Sequence, residues 1–189
     1  MKTEHVDSAV LADYWLGLRA EEAIEEHLFA CDRCCDRLRE IVSLAEGIRQ
    51  LARKGSLRMI VPDTFLKRAT ADGVRVRQYA PPPGGSVECT VTAEDDVLVG
   101  RLAANLSGVW RLDLSLCNEA GVEQLRLQDI PFNSSTGDVI YQESITYLKA
   151  APTNKMIARL VTVDEVGSEQ LLGEYTFNHT RSLPGPGAW

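Results

Sequence analysis

Apolar positions recur at helical spacing through the first third of the chain and alternate through the last hundred residues. Val10, Leu11, Tyr14 and Leu18 recur at helical spacing, with Asp7 placed to cap the first turn and Gly17 to break the helix. A second helix is predicted over about 20–30. It is acidic early, which suits the positive end of the helix dipole, and Ala23, Ile24, His27 and Leu28 share one face. The third and longest helix is predicted over about 34–53, with an apolar stripe of Leu38, Ile41, Val42, Ala45, Ile48 and Ala52, and Lys54-Gly55-Ser56 as its stop. Residues 57–79 read as a connector. Pro62-Asp63 starts a short helix there carrying Phe65 and Leu66, and Asp72-Gly73 ends it.

Beyond "APPPGG" at 80–85 the period changes to two. Val87, Cys89 and Val91 alternate in one segment, and Trp110, Leu112, Leu114 and Leu116 face one way in another. Four further alternating segments follow, each bounded by turn residues. Seven or so short strands with no helical pattern predict an antiparallel β-sandwich over 80–180, and "SLPGPGAW" reads as part of a flexible tail over 181–189. The expected fold class is therefore α+β in two parts: a small N-terminal helical domain of three to four helices over 1–56, and the sandwich.

Charge narrows the functions. The net charge is −7, and from residue 80 onward fourteen acids face seven bases, so direct nucleic-acid binding is not expected. No apolar run approaches the roughly 20 residues needed to cross a bilayer, and no signal peptide is evident, so the expectation is a cytoplasmic protein without membrane contact, its thiols reduced. The β half offers no catalytic set, and an enzyme is not expected. Glu94-Asp95-Asp96 reads as a solvated turn, and His179 as structural or exposed.

The five cysteines, Cys31, Cys34, Cys35, Cys89 and Cys117, are odd in number and three are clustered, unlike a disulfide framework. His27 and Cys31 are four apart and share a helix face; Cys34 follows at the helix junction, and a Cys-x-x-Cys pair can place two sulfurs on one tetrahedral ion. The fourth ligand is expected from His5, which can fold back onto that junction, so the predicted zinc set is His5, His27, Cys31 and Cys34. Cys35 points about 100° away from Cys34 and is a poor co-ligand, leaving it a candidate redox thiol. A metal-free Cys31–Cys34 redox pair beside Arg33 and three inert buried thiols stay open as alternatives. Cys89 and Cys117 read as small buried hydrophobes.

"EHVDSAVLADYWLGLRAEEAIEEHLFACDRCCDRLREI" resembles the zinc-associated anti-sigma factor domain. The matching positions are His5, Tyr14 to Leu18, Glu21-Glu22, His27, Cys31 and Cys34, within the first 55 or so residues. The resemblance implies a zinc unit of three helices plus a fourth that binds an extracytoplasmic-function sigma factor and blocks its use by RNA polymerase. It also implies Phe65 and Leu66 as partner anchors with Lys67 and Arg68 at their rim; packing against the β domain is the other reading of these residues. The chain departs from the family at Arg19-Ala20, where a helix-capping Ser, Thr or Pro-Glu pair is usual. It also lacks the membrane span that many members carry. A zinc-dependent module that pairs with another protein or forms a homodimer, and a Cys-x-x-Cys redox sensor, are the alternative functions.

Overall fold

The structure, a computed structural model, describes residues 5–19 and 22–181. The expected start of the second helix at 20–21 and all but the first residue of the expected tail lie outside the described residues. The boundary between two compact units falls between Ala52 and Arg53.

The first unit holds α1 (Ser8–Trp15), α2 (Glu22–Ala30) and α3 (Asp32–Arg53). Asp7 caps α1 by accepting the Ala9 N–H at 2.7 Å. Leu11 and Ile24 are 0% and 4% exposed, and with the Cys31 and Cys34 side chains they make up most of the buried interior of this unit. Two surface contacts tie α1 to its neighbours: the Tyr14 hydroxyl donates to Glu25 at 3.1 Å, and the Arg49 guanidinium lies 4.5 Å from the Trp15 ring centroid.

The second unit begins with what sequence alone presents as a connector. It contains β1 (Met59–Ile60), α4 (Asp63–Ala71), β2 (Val76–Tyr79), β3 (Ser86–Cys89), β4 (Val97–Ala103), β5 (Arg111–Cys117), β6 (Glu123–Leu127), β7 (Asp138–Glu143), α5 (Ile145–Ala150), β8 (Asn154–Val163) and β9 (Glu169–His179). The strands form two sheets, in the orders β1-β7-β4-β2 and β3-β9-β8-β5-β6. The α+β class stands, but the strands are not all antiparallel. β2 runs parallel to β4, and β3 parallel to β9. Both are edge strands on either side of the 80–85 crossing, where the chain passes from the first sheet to the second, and periodicity carries no information on strand direction.

Both sheets contribute to one core. Leu102, Val139 and Tyr141 from the first meet Leu114, Leu160 and Phe177 from the second. β4 is buried on both faces, which explains its near-continuous apolar run. Leu98 and Leu102 face inward, while Val97 and Val99 pack with Leu66 of α4, Val61 and Ile140. Leu66 is thus buried and Phe65 half-buried against this cluster, so the packing reading describes both; Lys67 and Arg68 are exposed. Trp110 precedes β5 and is 72% exposed, rather than sharing the inner face with Leu112.

The 94–96 acids are not merely solvated. Asp95 is buried and accepts the Arg77 guanidinium at 2.6 Å and the Thr92 N–H at 2.7 Å, while Asp96 pairs with Arg75 at 3.1 Å. These pairs clamp β2 to the start of β4. Gly55 fastens the entry to the unit. Its φ of 63° is left-handed, a Cβ there would strike the Asp96 carbonyl oxygen, and its own carbonyl accepts the Ile145 N–H at 2.7 Å. No helix among the described residues is long and apolar enough to cross a membrane.

The acid pairs set a pH dependence. Burial opposes charge on Asp95, but the Arg77 and Thr92 bonds outweigh it and its pKa is lowered; Arg75 lowers Asp96, and Arg101 lowers Asp63. A depressed folded-state pKa contributes stability that is present above the unfolded value of about 4 and lost as pH falls through the folded value. Resistance to urea, followed by the β signal in circular dichroism, is therefore expected to weaken on acidification below about pH 4. Asp95→Asn is expected to cost on the order of 1–3 kcal/mol at pH 7 and to flatten that dependence.

Candidate metal centre

The junction of α2 and α3 is built for ligand convergence. His27 lies in the last turn of α2, Cys31 sits between the helices, and the Cys31 carbonyl accepts the N–H groups of Cys34 and Cys35, both at 3.1 Å. That turn starts α3 at Asp32, two residues earlier than periodicity indicates, and puts Cys31 and Cys34 at the positive end of the helix dipole. The segment before α1 brings His5 to the same point.

His5, His27, Cys31 and Cys34 each offer one ligand atom, and these atoms all lie within 4.8 Å of one another. His27 Nε2 is 3.2 Å from Cys34 Sγ; His5 Nδ1 is 3.5 Å from Cys31 Sγ and 3.7 Å from Cys34 Sγ. With metal–sulfur bonds of about 2.3 Å and metal–nitrogen bonds of 2.0–2.1 Å, a tetrahedral ion sets nitrogen and sulfur about 3.6 Å apart. The three separations bracket that value, so the residues fit an ion of this size.

Burial pushes the Cys34 thiol up, the Val6 backbone N–H lowers it, and Cys31 beside it raises it again, for a net rise. A cation among the sulfurs reverses this balance and leaves the Val6 N–H as a support for the thiolate. Cys34 is 2% and Cys31 9% exposed, so such an ion would be shielded from bulk water, while the His5 side is open. Cys35 turns away and donates its S–H to the Leu28 carbonyl at 2.9 Å. Cys89 and Cys117 are buried in the β unit, and burial pushes the Cys89 thiol up to about 11, far from reactive. Sequence reasoning missed the Val6 contact, because a backbone donor leaves no mark in side-chain spacing.

Comparison with known proteins gives no family. No protein-family profile matches the chain, and no curated protein does. Among solved structures, the N-terminal domain of phage TP901-1 ORF48 aligns with 57% of this chain and 98% of its own, at 12% identity and a TM-score of 0.35. Amebosin aligns with 56% of this chain and 98% of its own, at 6% identity and a TM-score of 0.26. Neither score reaches the level of a shared fold.

Metal content checks the geometry. Purified protein titrated with Co(II) is expected to show tetrahedral visible bands and thiolate charge-transfer at one ion per chain. Cys34→Ser and His27→Ala are expected to lose them, and Cys35→Ser to retain them.

Proposed function

We propose that the chain is a zinc-stabilised anti-sigma-type regulator without catalytic activity. Its helical unit binds an extracytoplasmic-function sigma factor and withholds it from RNA polymerase. The observation that carries this reading is the convergence of His5, His27, Cys31 and Cys34 within 4.8 Å, in the arrangement on which the sequence resemblance rests. Two sulfurs and two imidazole nitrogens favour zinc over hard cations such as magnesium or calcium. Four protein ligands leave no open coordination position, which supports a structural role over hydrolysis.

Zinc would compensate for a small core. Only Leu11 and Ile24 are large, fully buried apolar side chains among the described residues of this unit, too little to order three helices. Metal binding contributes folding free energy on the order of 10 kcal/mol in small zinc peptides. The same unit leaves apolar side chains outside. Leu44, Ile48 and Leu51 follow one face of α3 at helical spacing and are 67%, 48% and 46% exposed, and Phe29 is 94% exposed. These residues support a protein partner better than Phe65 and Leu66 do, since the latter pack within the β unit. In this reading the paired sheets form a sandwich with a sensing role, and the protein works in the cytoplasm.

A second copy of the chain is the competing occupant of the α3 face, because apolar stripes also serve homodimers. The test is reconstitution with the extracytoplasmic-function sigma factors encoded in the source genome. A 1:1 complex is expected that blocks polymerase binding, that chelation of the metal dissolves, and that Leu44→Glu with Ile48→Glu weakens at least 100-fold. A homodimer abolished by the same double substitution, with no sigma factor bound, would overturn the reading in favour of self-association.

A further inference from the structure

The β unit contains a cavity of about 450 Å³ at one end of the paired sheets. At about 30 Å³ per water-sized group it has room for a molecule on the order of 15 non-hydrogen atoms. Leu98 and Gly100 of β4, Leu116 of β5, and Met156 and Phe177 of β8 and β9 line it, with Leu148 of α5 beside them. Exposed Asn118 and Gln124 mark its rim, and Lys155 stands there half-buried. Gly100 keeps the wall open to an aromatic ring: a Cβ there would sit 3.0 Å from the Phe177 ring.

The polar groups of the lining divide sharply. Glu143 is the one buried charged residue among them, and its carboxylate is fully engaged by Arg58 at 2.5 Å, the Tyr141 hydroxyl at 2.7 Å and the Ser144 N–H at 2.8 Å. The Tyr79 hydroxyl is also complete, donating to the Thr90 carbonyl and accepting the Thr90 N–H. His179 is different. It is 3% exposed, paired across the sheet with Asn154 and Cys89, and neither ring nitrogen makes a hydrogen bond of good geometry. The Leu148 backbone is its one polar influence, and burial holds the imidazole below its ordinary pKa, hence neutral at pH 7.

A neutral imidazole has one donor and one acceptor nitrogen, and a hydroxyl can meet either. Leaving such a group unmet in the interior is unfavourable, so a ligand that satisfies it gains selectivity over one that does not. A charged ligand would gain nothing comparable, because the one buried charge is already neutralised and entering the apolar walls strips its hydration. We propose that this cavity binds a neutral, largely apolar small molecule bearing a hydroxyl group, with His179 as its hydrogen-bonding partner.

This inference rests on the β unit alone and stands or falls separately from the partner of the helices. The test is calorimetric titration of the full-length, metal-loaded protein with 2-naphthol, naphthalene and 2-naphthoate. 2-Naphthol is expected to bind saturably, about tenfold tighter than naphthalene, the equivalent of one hydrogen bond; 2-naphthoate is expected to bind no tighter than naphthalene. His179→Phe is expected to bring 2-naphthol down to the naphthalene level, and Leu148→Trp, which fills the cavity from its rim, to abolish binding of all three. Absence of saturable 2-naphthol binding, a preference for the carboxylate, or binding undiminished in Leu148→Trp would overturn the proposal. Should His179→Phe fail to fold by circular dichroism, the 2-naphthol preference of the unaltered protein and the Leu148→Trp result decide the matter.

Discussion

Two thiols and two imidazoles gathered within 4.8 Å are a poor interior without a cation and a strong one with it. These four residues form the candidate metal centre of the helical unit. Among the described residues its apolar interior is small, and the Tyr14–Glu25 bond and the Arg49–Trp15 cation–π contact join its helices at the surface. Surface contacts of this kind contribute at most about 1 kcal/mol each. With an ion bound, the order of the helices, and so the geometry of the apolar α3 face, would follow from how four side chains meet.

The β unit is held by different means. Its core is drawn from both sheets, and buried acids lie there in ion-paired groups. Asp113 lies beneath Arg111 and Arg126 at 3.3 and 3.1 Å, and Glu143 lies beneath Arg58. Breaking one member of such a group leaves a charge in the interior, which is costly, so these pairs enforce one arrangement more than they add net stability. The contrast between the units is one of chemistry: a cluster of candidate metal ligands marks the first, and apolar packing with paired charges organises the second.

Much of this was legible in the sequence, for physical reasons that also explain what was not. Helical periodicity placed three helices, and the i, i+4 spacing of His27 and Cys31 with Cys34 three further on put three ligand atoms together; His5 entered because few imidazoles were available. Alternation found most strands, but not β1 and β2. β1 is only two residues long, and at β2 Arg75 and Arg77 interrupt the apolar pattern because they pair with Asp96 and Asp95. Leu66 looked available to a partner because its helix is isolated in sequence, whereas it packs against Val97 and Val99 of β4, about thirty residues away. His179 carried no signal at all, since its setting depends on strands that meet only in three dimensions.

The pairing of β3 with β9 has a consequence for how the protein emerges from the ribosome. Residues 86–89 find their neighbours only when residues 176–179 have been made, so the second sheet closes late, as non-local pairings do. The three helices of the first unit end by residue 53. During synthesis the nascent chain can therefore complete those helices and bring out the four candidate ligands while its trailing half is still unfolded.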